Sequence, residues 1–171
     1  MKYYAMFYKG KGNITDKSIR LRTFSIYSHV EFVVCDNDFN PNDFDAGTKV
    51  LAYTSSFRDG GVVKRELCIK PENWDFVPID WVDQEDVEAY YKSTKNANYD
   101  LLGVLVGQLL KVRTHNENQY FCSEWVGSLL RLDEPWRYSP GLLYLVLKSY
   151  NGINSKYVEK SYVEKTINST L

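Results

Sequence analysis

Tyr27-Ser28-His29-Val30-Glu31-Phe32-Val33-Val34-Cys35, residues 27–35, is the stretch that decides the fold. Val30, Phe32 and Val34 alternate with His29, Glu31 and Val33, which is the two-residue period of a strand. Val30, Phe32 and Val34 make a core face. His29 and Glu31 therefore share the opposite face, because side chains two apart point the same way. An ionisable pair behind an apolar strand is either part of a solvated sheet face or part of a site.

Outward from this strand, residues 2–8 read as another, followed by the loop Gly10-Lys11-Gly12-Asn13. Its glycines lack the G-x-G-x-x-G spacing of a dinucleotide site. Thr15 or Asp16 is the expected cap of a short helix through Leu21. An acidic, turn-rich loop runs from Asp36 to Gly47. Strands are then expected over 50–57 and 62–69, joined by Asp59-Gly60-Gly61, whose glycines suit a tight hairpin. Residues 75–81 read as one more strand. Asp83 caps a helix to about Lys95, and Asp100 caps the next, to Leu110. A polar loop over 113–119 leads into a helix beginning near Cys122, in which Trp125, Val126, Leu129 and Leu130 share one face. Ser139-Pro140 opens a last helix to about Tyr150. No linker divides the chain, so one domain is expected over residues 1–171. Its class is α+β, an antiparallel sheet or small barrel packed against helices.

Composition narrows the function. The chain has 171 residues, of which 44% are hydrophobic and 25% charged, enough to bury a core and against disorder. Its 14 tyrosines suit cleft walls and wet interfaces. Net charge is −1 with Lys and Arg scattered, whereas a nucleic-acid binder concentrates basic charge. No nucleic acid is expected as partner. The N-terminus is too short and polar for a signal peptide. Leu101 to Leu110 is about half a membrane span, and its Gly103 and Gly107 fit close packing in a core. Three cysteines do not make a disulfide framework and suit a reducing cytoplasm. The sequon at Asn168 matters only in a secreted chain. The echo of residues 156–160 in 161–165 is too short for a repeat architecture.

Few catalytic schemes survive. The chain has no G-x-S-x-G, H-E-x-x-H, C-x-x-C or Walker loop. With two histidines and three separated cysteines, a zinc site would need unusual ligands, so neither metal nor cofactor is expected. A Cys–His pair remains. Cys122 falls at the first turn of a helix, where partial positive charge favours a thiolate and free N–H groups can hold an oxyanion. The alternative is a small buried hydrophobe. His29, on a rigid strand, can serve as general base towards a thiol and acid towards a leaving group. Taken alone it reads more readily as a surface histidine on a solvated sheet face. Cys35 ends a strand and Cys68 lies within one, neither with a helix N-terminus. His115 ranks second as base, because a flexible loop holds a base poorly. Glu31 is the local candidate to orient His29, with Thr54 and Ser55 on the next strand as rivals. Glu124 is a first-turn acid placed to steady the helix start.

Tyr27-Ser28-His29-Val30-Glu31 with Tyr120-Phe121-Cys122-Ser123-Glu124-Trp125-Val126 resembles the permuted NlpC/P60 group of papain-like proteins. More narrowly, the chain is similar to phage-encoded members and to the YiiX/YaeF-like amidases. Ser55-Ser56-Phe57-Arg58-Asp59-Gly60-Gly61-Val62, Tyr99-Asp100-Leu101-Leu102-Gly103 and Ser139-Pro140 extend the match over about residues 14–148. The resemblance implies a circularly permuted papain-like fold, with the histidine strand ahead of the cysteine helix. It implies Cys122 as nucleophile and His29 as base in a cysteine peptidase or amidase, acting on a cell-wall or other peptide. It also implies a polar third residue, often Glu or His, on the strand after the histidine strand, where this chain has Tyr53-Thr54-Ser55. The alternatives are a non-catalytic phage or host-interaction module keeping the fold, and a thioesterase or acyltransferase. A location in the cytoplasm, of the host cell if the protein is viral, or in a virion, is the matching expectation. Oligomeric state is left open.

Overall fold

The computed structural model describes residues 1–99 and 119–153. The alternating stretch forms β2 (His29–Cys35). It lies inside the sheet, antiparallel to both β1 (Lys2–Tyr8) and β3 (Thr48–Ser56). A hairpin joins β3 to β4 (Gly61–Ile69), paired from Thr48↔Ile69 to Ser56↔Gly61. β5 (Trp74–Ile79) returns to the outer edge of β1. Two short strands, β6 (Asn98–Tyr99) and β7 (Gln119–Tyr120), extend the β4 edge and run parallel to each other. The order is β5-β1-β2-β3-β4-β6-β7. Among the described residues no pairing joins β5 to β7, so this is an open sheet rather than a closed barrel.

The hairpin glycines have separate duties. Gly60 takes the left-handed backbone of the turn, with φ +79°. At Gly61 a Cβ would lie 2.3 Å from the Ala97 carbonyl oxygen, so only glycine lets the chain before β6 approach β4 this closely.

Both faces of the sheet are buried. Val30, Phe32 and Val34, with Ala5, Phe7, Tyr53 and Val77, pack beneath the helices. The His29–Glu31 face is no solvated surface: Val33 and Cys35 join Tyr4, Met6, Val50, Ala52 and Ile69 in a second core. The loop read only as acidic and turn-rich covers that core, through Phe39 and Phe44 packed at an angle against Phe76.

Among the described residues four α-helices accompany the sheet. α1 (Ile14–Thr23) is capped by Asn13, not by Thr15 or Asp16. The Asn13 side chain accepts from the Asp16 N–H while the Asp16 carboxylate accepts from the Asn13 N–H. This reciprocal box satisfies two otherwise orphan donors, and Asp16 fills its far corner rather than the cap. α2 (Gln84–Thr94) is capped by Asp83 as expected. α3 (Cys122–Leu129) buries Trp125, Val126 and Leu129 against the sheet. The fourth, α4, covers residues 140–153, with the Leu142 N–H donating to Ser139 Oγ at its start. The strand expected over 75–81 ends at Ile79, and Trp81 packs edge-on against Tyr150 of α4 instead. The Asp100 cap, the 101–110 helix with Gly103 and Gly107, His115, the 156–165 echo and the Asn168 sequon lie outside the described residues. Among the described residues no helix is long and apolar enough to cross a membrane.

Candidate active site

His29 opens β2, and its partner across the pair is Tyr8, the last residue of β1. β3 ends and β4 begins at this same end of the sheet, at Ser56↔Gly61. α3 is tied to it through Ser55, whose Oγ donates to the Tyr120 carbonyl oxygen at 2.6 Å, two residues before Cys122. Phe121 is the N-cap, in extended conformation, and Cys122 is the first helical residue. Below it Ser123 Oγ donates to the Tyr138 carbonyl oxygen at 2.6 Å and Trp125 Nε1 donates to Thr94 Oγ1 at 2.9 Å. The buried Glu124 carboxylate faces the Phe121 N–H at 3.5 Å, the place expected of a first-turn acid. The helix tip is thus fixed on three sides, and its leading N–H groups have no acceptor within the helix.

The structure brings Cys122 beside His29, close enough for the sulfur to act on the imidazole. It also brings Glu31 to His29, with His29 Nε2 3.3 Å from Glu31 Oε1. Thr54 and Ser55 are not at the ring. Thr54 Oγ1 donates to the Val30 carbonyl oxygen at 2.8 Å, and the Ser55 hydroxyl is spent on Tyr120. Their work is to tie β3 to its neighbours.

One participant was missed by the sequence reading. Arg65, on β4, donates from Nη2 to Glu31 Oε1 at 2.7 Å and from Nη1 to Asp59 Oδ2 at 2.5 Å. A chain of charge therefore runs from the hairpin turn through Asp59, Arg65 and Glu31 to His29. Glu31 is almost wholly buried, and its second oxygen, Oε2, has no hydrogen-bond partner. The local signal was the alternation of β4, which puts Arg65 on one face with Leu67. The partner required long-range registers, Arg65↔Ala52 and Ala52↔Val33, which place Arg65 on the face of Glu31.

Burial is the largest influence on the His29 ring and opposes its charge. The charge on Cys122 and a hydrogen bond to it, then the hydrogen bond and charge of Glu31, together outweigh burial and raise the imidazole from 6.5 to about 10. Protonated His29 therefore stabilises the fold fully below about pH 6.5, a contribution lost as pH rises through about 10. Replacing Cys122 by Ala removes the largest raising influence. The NMR titration midpoint of His29 is expected to fall in Cys122→Ala, with the His29→Ala spectrum identifying the signal. An unchanged midpoint would show that the sulfur carries no charge beside the ring.

No family model matches the chain, and no curated protein matches it. What the site can do must be judged from its own geometry.

A cavity of about 470 Å³ lies against His29 and Glu31. Asn13, Asp16 and Ile19 of the α1 segment, Phe57 and Arg58 of the hairpin, and Leu67 and Trp74 are among its walls. His29 keeps 21% side-chain exposure there. Cys122 is only 3% exposed and does not line this cavity. The other thiols differ from Cys122 and from each other. Cys35 is buried, and burial, with the Asp36 charge second, pushes its thiol up to about 12. Cys68 is exposed on β4 and lines this cavity. Among the described residues no group of three or more His, Cys, Asp or Glu side chains is placed to hold a metal ion.

Proposed function

We propose that the chain is a cysteine hydrolase acting on amide bonds, with a permuted papain-like arrangement of its site. The observation that carries this reading is the contact between the Cys122 thiol, at the first position of α3, and the His29 imidazole, itself backed by Glu31. Nε2 of the ring faces the carboxylate, which leaves Nδ1 for the sulfur. In the proposed cycle the Cys122 thiolate attacks the acyl carbon, and first-turn N–H groups of α3 hold the oxyanion. The His29 imidazolium gives its proton to the departing amine. The neutral ring then takes a proton from water, which attacks the thioester carbon, releases the acid and returns the pair to its starting state. Peptides are the proposed substrate class, on the resemblance to cell-wall amidases.

The 3% exposure of Cys122 favours a second reading, a binding module that keeps the fold without turnover. Iodoacetamide at pH 6 separates the two. Exposure alone predicts that Cys68 labels first and that Cys122 and Cys35 lag. The hydrolase reading predicts the reverse for Cys122, with labelling at least about tenfold faster than at Cys68 and lost in His29→Ala. Labelling in the order of exposure would count against the enzyme.

A further inference from the structure

α1 is built inside out. Its inward positions are Asp16, Ile19, Arg20 and Thr23, all partly covered, and three of the four are polar. Asp16 and Arg20 grip Ser28: the Ser28 hydroxyl donates to Asp16 Oδ1 at 2.7 Å, and Arg20 Nη2 lies 3.1 Å from Ser28 Oγ. The Arg20 guanidinium also lies over the Tyr8 ring, 5.6 Å from its centroid. Apart from Ile19, the apolar side chains face the other way. Ile14 is 83% exposed, Leu21 77%, Phe24 96% and Ile26 62%. Ile14 and Leu21 are seven residues apart, on one face of the helix. Phe24 closes the helix in the left-handed region, at φ 48° and ψ 42°, which bulky residues adopt only at a cost. A strained aromatic held almost fully in water has no role in the fold of the described residues.

The charge on this outer surface has one sign. Lys11, Lys17 and Arg22 are exposed beside the apolar side chains, and between Lys9 and Ile26 the single acid, Asp16, points inward. The whole chain carries −1, so the basic charge here is a local concentration. Large apolar groups interleaved with cations match one surface chemistry, the boundary between anionic headgroups and acyl chains.

We propose that the outer face of α1, with Phe24 and Ile26, docks this protein on anionic membrane surfaces. Leu21, Phe24 and their neighbours enter the acyl boundary, and Lys17 and Arg22 meet lipid phosphates. The helix lies in the plane of the interface and does not cross it. Asp16 and Ile19 wall the cavity at His29 from the inward face of α1, so docking leaves the helix between that cavity and the lipid. The proposal does not depend on Cys122 chemistry.

Sedimentation of the full chain with vesicles tests it. Binding to vesicles of equal phosphatidylcholine and phosphatidylglycerol is expected to exceed binding to pure phosphatidylcholine by about tenfold or more at low salt. It should weaken as salt rises. The pair Leu21→Ser with Phe24→Ser should lower binding by about tenfold or more. Lys17→Gln with Arg22→Gln should lower it several-fold and flatten the salt dependence. These side chains stand in solvent, so folding, followed by thermal melts, should be unchanged. No binding to the anionic vesicles, or binding indifferent to the Leu21 and Phe24 changes, overturns the proposal. So does self-association in sedimentation velocity that those changes dissolve, because the face would then belong to a second copy.

Discussion

Cys122→Ala is expected to abolish acyl transfer from an activated ester such as p-nitrophenyl acetate, with a loss of at least about 10⁴-fold over background. The size follows from the absence of a substitute among the described residues. Cys35 is buried with its thiol pushed up to about 12. Cys68 lines the cavity but lies on β4, away from any helix N-terminus. The Ser123 hydroxyl, next to Cys122 on α3, is committed to the Tyr138 carbonyl oxygen. The measurement is a single-turnover mixing experiment, with mass spectrometry locating the acetyl group on the Cys122 peptide of the parent protein. A Cys122→Ala protein that still turns over within about threefold of the parent would remove the sulfur from the mechanism and leave the binding-module reading standing.

Arg65→Met is expected to cost about 3–5 kcal/mol of folding stability, the range for breaking one partner out of a buried ion pair. Glu31 is the reason. Its carboxylate is almost fully enclosed, Oε1 receives the Arg65 guanidinium at 2.7 Å, and Oε2 has no partner at all. With the guanidinium gone, the carboxylate keeps only His29 at 3.3 Å. Urea unfolding of Arg65→Met, Glu31→Gln and the double variant measures this. The Arg65→Met cost should shrink by more than about 1 kcal/mol when Glu31 is already Gln, since no buried charge then remains to be orphaned. Additive costs would mean that Arg65 supports the fold through its packing against the sheet and not through Glu31.

The parts legible in the sequence are those governed by local periods. The alternation over residues 29–35 placed β2 and put His29 and Glu31 on one face, and the two side chains do meet. Ser139-Pro140 and Asp83 located two helix starts because a cap acts on its own next turn. What escaped depends on distance along the chain. Arg65 reaches Glu31 only through two strand registers that no local pattern displays. The burial of the His29–Glu31 face depends on Phe39 and Phe44 folding over it from a loop that reads as solvent-exposed. Asn13 displaced Thr15 and Asp16 as cap because a reciprocal pair of hydrogen bonds outweighs a single one. The inverted polarity of α1 was hidden too, since an amphipathic spacing does not say which side faces in.

The His29 ring has a further consequence, for thermodynamic linkage. It borders the cavity on one side and touches the Cys122 sulfur on the other, while the sulfur itself does not reach that space. Any molecule whose hold on the cavity depends on the imidazole proton must change the ionisation of the sulfur, and the sulfur must change that molecule's affinity by the same factor. Alkylating the thiol would therefore be felt in a chamber the alkyl group never enters.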